Sequence, residues 1–156
     1  MKLWLLHPMA VHFPVALLVT GFAFHARSLA KGDGPPGGGG GEWVGPAARW
    51  LLWLGTLAAW SALGLGLLAE KTAPHVPSAW EAFADHEAAA YWTCGLFSAL
   101  SLVAFEFRRR GEAAPAWGAK ALTAFWLVAL AALVRTAALG GDLVYEHNMG
   151  TRASAQ

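Results

Sequence analysis

The sequence predicts an all-α integral membrane protein, a four-helix bundle with both termini on the outer side of the membrane. Three observations carry this. The 156 residues are 56% hydrophobic and only 13% charged, whereas soluble domains carry about 25% charged residues. Four apolar runs are each long enough to cross a bilayer, which takes about 20 residues. The basic residues between those runs are distributed unequally between the two sides.

The first run covers Leu5 to Ala26, and Lys2 precedes it as in a secretory signal. A cleaved signal rarely carries His and Pro within its apolar region, and Phe24 is too large for the usual small-residue cleavage pattern. The run therefore reads as a retained helix. The second covers Ala47 to Ala69 and ends at Glu70-Lys71. In it Ala58, Ala62 and Gly66 recur every fourth residue, with Gly55 and Gly64 nearby. Small residues at that spacing let helices approach closely in lipid, or leave clearance for a flat cofactor. The third run, Ala88 to Phe107, ends at Arg108-Arg109-Arg110, and its helix is read from residue 86. The fourth, Ala119 to Leu139, is read as helix over 119–147. A single domain accounts for the chain.

The connection between spans one and two holds Arg27, Lys31 and Arg49; that between spans three and four holds Arg108, Arg109, Arg110 and Lys120. The other side holds Lys2, Lys71 and Arg152. Basic loops stay cytoplasmic, so both termini and the loop around His75 are expected in the periplasm or its equivalent. The protein reads as a multi-pass component of a bacterial inner membrane, with the lipid bilayer as its first partner.

KGDGPPGGGGGEW, residues 31–43, is a cytoplasmic linker with no capacity to pack. A phosphate-binding loop would need a preceding strand and a following Lys-Ser/Thr. Trp4, Trp80, Phe83 and Trp117 stand at span boundaries, where aromatic rings favour the interface. A net charge of +1 offers no basic surface to nucleic acid. The single cysteine, Cys94, forms no internal disulfide, and no CxxCH motif for covalent haem is present.

The histidines are the chemistry. On the expected topology His7, His12, His75, His86 and His147 lie in the outer half or just beyond it, and only His25 lies at the inner end. His12 falls roughly 10 Å deep at ~1.5 Å per residue, where an ionisable group faces the bundle interior and has a partner. Either a cofactor or a neighbouring helix can be that partner. Pro14 cannot donate to the carbonyl of Ala10, so the helix loosens beside His12. His7 precedes Pro8 as a helix-start residue does. It points ~140° away from His12 on an ideal helix, which disfavours chelation of one ion by both. Asp85 and Glu87 flank His86, either to orient a ligand or as ordinary helix-start charges. Gly140 and Gly141 allow another helix or a ring close to the segment that ends in His147. Arg135, inside span four, needs an anion; Asp142 and a haem propionate are the candidates.

These residues carry a resemblance. HPMAVHFPVALL is similar to the HPxxVHFP opening of the bacterial membrane-protein family called domain of unknown function 2231, and GGDLVYEHNMG is similar to its GGxLVYxHG close. The likeness spans nearly the whole chain, with four helices and a third-helix histidine that would be His86. Asn148-Met149 departs from it, where the family commonly has Gly and an aliphatic residue. The resemblance implies four positions to watch: His7, His12, His86 and His147.

Neither a Ser-His-Asp set nor an HExxH motif is visible, so an electron-transfer or accessory subunit is expected rather than a stand-alone enzyme. The leading expectation is a b-type cytochrome-like subunit. Haem b would be held by His12 and His86, with His7 and His147 as a second pair or bonded to propionates, and Arg135 as propionate partner. Electrons would pass at the outer face through a quinol or a periplasmic carrier. Two alternatives stand beside it: a cofactor-free structural or assembly subunit in contact with other membrane-complex subunits, and a copper, iron or zinc site whose metal ligands are His12 and His86.

Overall fold

The computed structural model describes residues 3–30, 43–73, 76–110 and 117–149. The glycine-rich linker, His75 and the two chain ends lie outside the described residues, and with them the loop expected outside the membrane. All regular structure among the described residues is helical. A 3-10 turn, Leu3–Leu5, leads into α1 (Leu6–Ala10) and α2 (His12–Ala30), which together make the first span. α3 (Val44–Thr72), α4 (Trp80–Arg110, entered through the 3-10 turn Pro77–Ala79) and α5 (Gly118–Tyr145) are the other three. The four segments have the length and hydropathy of membrane spans. At ~1.5 Å per residue each exceeds the ~30 Å hydrocarbon core, so turns at their ends reach the interface or the helices tilt.

The first span is segmented by its prolines. Pro8 and Pro14 each stand in the first turn of a helical segment, where a missing N–H costs nothing. Between them, Val11 closes α1 with its N–H on the carbonyl of His7 at 3.1 Å. Tryptophans mark other helix starts: Trp43 caps α3 and Trp117 caps α5, both well exposed, and Trp80 begins α4. Such rings prefer the membrane interface.

α1 and α2 pack along α3 to form one hairpin, and α4 packs along α5 to form the other. The hairpins meet through α3 on α4 and α2 on α5. Where all four helices meet, Leu18, Leu52, Phe97, Leu100, Ala104, Trp126 and Ala129 form one buried layer. Ala59, Leu63 and Cys94 form a smaller cluster. Gly55 admits α2 here: a Cβ at that position would stand 2.6 Å from Leu18 Cδ2.

The two hairpins bury equivalent positions. Pro14, Leu18 and Gly21 are buried on α2; at one constant interval along the chain, Thr93, Phe97 and Leu100 are buried on α4. Val44, Leu52 and Gly55 on α3 correspond in the same way to Gly118, Trp126 and Ala129 on α5. The same second interval relates the caps Trp43 and Trp117. The bundle is thus a tandem of two similar helix pairs, a repetition visible in burial and scarcely in residue identity.

Lipid gives helices little hydrophobic reason to associate, so close packing and interhelical hydrogen bonds do more of the work. Thr56 Oγ1 lies 2.9 Å from Ser101 Oγ, and Trp60 Nε1 donates to Ser98 Oγ at 2.9 Å, tying α3 to α4. Thr93 and Thr136 hydroxyls meet at 2.8 Å between α4 and α5. At the far end His25 joins α2 to α5.

Gly55→Val should overpack the contact with Leu18 and cost about 1–3 kcal/mol. Gly64, with nothing within 4 Å of an added Cβ, should accept Ala without loss. Thermal unfolding in detergent reads both: a lowered midpoint for the first and an unchanged or raised one for the second.

Candidate functional site

Two histidines from different hairpins meet at the end of the bundle where α1 and α4 begin. His7 and His86 have ring centroids 6.3 Å apart and planes inclined at 74°, an edge-to-face contact. α1 is packed on α3 and α4 on α5, so the rings face each other across the seam between the hairpins.

Each ring is seated in the same manner. His7 Nδ1 lies 2.9 Å from the carbonyl oxygen of Ala62, and His86 Nδ1 lies 3.0 Å from that of Thr136. A carbonyl only accepts, so both rings donate through Nδ1–H, and both keep the Nε2 lone pair. Beneath His7 lies Gly66, whose added Cβ would stand 3.1 Å from His7 Cε1; beneath His86 lies Gly140, whose added Cβ would stand 3.0 Å from His86 Cε1. In each case the carbonyl belongs to the residue four before the glycine. The intervals from His7 to His86, and from Gly66 to Gly140, are those that relate the buried cores of the hairpins.

A glycine one helical turn beyond the acceptor opens a notch in which an imidazole reaches the carbonyl from the side. The Ala58, Ala62, Gly66 stripe supplies that clearance on α3, and the Gly140 side supplies it on α5. Gly141 takes no ring; its added Cβ would meet only Tyr145 of the same helix. Thr136 is used twice. Its carbonyl holds His86, while its hydroxyl donates to Ala132 O and therefore accepts from Thr93.

The other candidates lie apart from this pair. His12 is exposed on the outer side of α2 and makes no side-chain hydrogen bond among the described residues. The expected meeting of His12 with His86 is replaced by that of His7 with His86. The physical reason is the angular separation of His7 and His12, which lets only one of them face the partner hairpin. His147 is half-buried beyond the end of α5, and its ring joins neither His7 nor His86. Arg135 is exposed on α5 and forms no ion pair with Asp142 among the described residues. Among those residues no three His, Cys, Asp or Glu side chains gather as a metal site.

His25 occupies the opposite end. Thr123 Oγ1 donates to Ala119 O and accepts from His25 Nε2 at 2.9 Å, and the imidazole stacks on Trp126 with centroids 5.4 Å apart. The position of His25 is thus explained by packing alone.

Gly140→Val and Gly66→Val should each lift one imidazole off its carbonyl. Proton NMR of the protein in micelles should lose the hydrogen-bonded Nδ1–H signal of His86 in the first variant and of His7 in the second. A variant that keeps both signals would show that the glycine notch does not seat the ring.

Comparison with known proteins gives a family and nothing closer. A family model described as "Predicted membrane protein (DUF2231)" matches residues 5–153. No curated protein and no solved structure matches the chain.

Proposed function

The chain belongs to the DUF2231 family of predicted membrane proteins, and within it we propose a b-type cytochrome-like electron-transfer subunit in which His7 and His86 would hold the haem. The observation that carries this is the preparation of the two imidazoles. The ring centroids of His7 and His86 are 6.3 Å apart, and both rings keep an Nε2 lone pair that could serve a metal. Ligating histidines characteristically donate their other N–H to a carbonyl or carboxylate, which fixes the tautomer and makes the ligand more basic. Ala62 and Thr136 do this for the two rings. The expected ligand set is thereby amended, with His7 in the place of His12.

The donor set favours haem over a bare ion. Structural zinc asks for four protein donors and catalytic zinc for three, and only two are gathered among the described residues. A haem would need only two protein donors, which His7 and His86 would supply. When bound it supplies a one-electron carrier, of the low-spin kind that two histidines give. The chain's own residues hold the two imidazoles at Nδ1 and offer a cation. Arg135 adjoins Thr136 in sequence and has no carboxylate partner among the described residues, so it is available to a propionate.

The basic-residue bias supports a reading in which the histidine end faces the outer side of a bacterial inner membrane and exchanges electrons with quinol or a periplasmic carrier. A second reading has its own support. Both Nδ1 groups are satisfied and the rings contact each other directly, so the pair also serves as a staple between hairpins. That describes a cofactor-free structural or assembly subunit.

The optical spectrum of protein purified from haem-replete cells separates the readings. A Soret band is expected; His7→Ala and His86→Ala should abolish it, His25→Ala and His12→Ala should leave it, and Arg135→Leu should weaken haem retention. Folded wild type without a Soret band would leave the staple. Sidedness is read by thiol labelling of intact cells in a Cys94→Ala background. Gly38→Cys should be protected and Arg152→Cys labelled, and the reverse pattern would invert the topology.

A further inference from the structure

At the end opposite the paired histidines, two buried hydrogen-bond donors lack acceptors among the described residues. Arg49, in the second turn of α3, has its Nη1 buried with no hydrogen-bond partner among those residues. Trp126, only 1% exposed, has a buried Nε1–H that is likewise unpartnered among them. The indole lies near Gly21 of α2, close to α3: a Cβ on Gly21 would stand 3.1 Å from Trp126 Cζ2, 3.1 Å from Leu51 Cβ and 3.4 Å from Ala48 O. Arg108 reaches over from α4, its guanidinium 6.0 Å from the centre of the Trp53 ring, which is one turn along α3 from Arg49. Two guanidinium groups, from neighbouring helices, thus belong to the same end of α3.

No carboxylate among the described residues answers this charge. Glu106, on the same turn of α4 as Arg108, is taken by Arg109 at 2.9 and 3.1 Å and by Arg110 at 2.8 Å. A buried donor left unmade is costly, and more so when it belongs to a charged group. Two like charges held beside each other add to that cost unless an anion lies between them.

We propose that Arg49 and Arg108 hold a phosphate-bearing anion at this end of the bundle. A guanidinium matches phosphate oxygens two at a time, and the tetrahedral group offers further oxygens to a second guanidinium. The site lies where the helices leave the apolar layer, with Arg49 half-buried and Arg108 exposed. Basic pockets between spanning helices take phospholipid headgroups in such places. Free phosphate has the same chemistry. This inference is independent of the histidine pair and of any haem.

The test uses the full chain in a neutral detergent, unfolded thermally with one of three additions: phosphatidylglycerol, inorganic phosphate, or a galactosyl diacylglycerol that carries no phosphate. Phosphatidylglycerol should raise the midpoint of the wild type by about 2–4 °C over the galactolipid. The same rise with inorganic phosphate would make free phosphate the ligand, and a rise with phosphatidylglycerol alone makes it the lipid headgroup. Arg49→Gln should lose the rise and be no less stable than wild type in the galactolipid, because it no longer carries an unmatched buried cation. Arg27→Gln, which alters an exposed cation at the same end, should keep it. Should Arg49→Gln fail to fold, Arg108→Gln reads the same loss. The proposal is overturned if neither phosphate compound stabilises the wild type, or if Arg27→Gln removes as much of the rise as the site variants.

Discussion

Lipid offers a polar side chain no hydrogen-bond partner, so every polar group placed inside the bundle must be answered by another helix. The architecture follows from that constraint. Thr56 meets Ser101, Thr93 meets Thr136, Trp60 meets Ser98 and His25 meets Thr123. Each contact joins two helices, and between them they link every adjacent pair except α2 with α3. There glycine takes over, with Gly55 bringing α2 onto α3 and His7 crossing to Ala62 just beyond. Apolar packing of Leu18, Leu52, Phe97 and Trp126 fills the remaining space.

The paired imidazoles extend this logic. A helix carbonyl already engaged by its own backbone has a second lone pair, and a side chain reaches it only where the helix surface is bare. Gly66 and Gly140 make that bare surface in each hairpin. Two seats of the same construction, one per hairpin, then bring two rings face to edge at the hairpin seam. At the opposite end the same approximate symmetry breaks down. Thr123, answered by His25, stands at the position that corresponds to Arg49, whose Nη1 has no acceptor among the described residues.

Much of the fold was legible in the sequence, because apolar length and helix-end charge are local signals. The four spans follow from composition, although α4 starts at Trp80, well before its apolar run, and the first span is split at Val11. The site was legible only in part. His7 and His86 stand out as polar residues at the heads of apolar runs, but their pairing depends on which face of α1 turns inward. The break between two prolines sets that face, and composition does not reveal it. The clearance near Gly66 and Gly140 was readable as small-residue spacing; that an imidazole occupies both places is a three-dimensional fact. The donors at Arg49 and Trp126 carried no sequence signal, since an arginine at a cytoplasmic boundary reads as topology.

The seating of each ring also bears on how the sequence drifts over time. A methyl group at position 140 would fall 3.0 Å from Cε1 of His86, and one at position 66 would fall 3.1 Å from Cε1 of His7. Alanine is therefore a poor neighbour to either histidine, although in helices generally it is the more favourable residue. Once a lineage gives up the imidazole, the glycine loses its reason to persist and the helix gains by replacing it. Histidine and glycine, far apart in the chain, are therefore expected to change together in each hairpin. Two such units in one polypeptide are what duplication of an ancestral helix pair would leave behind.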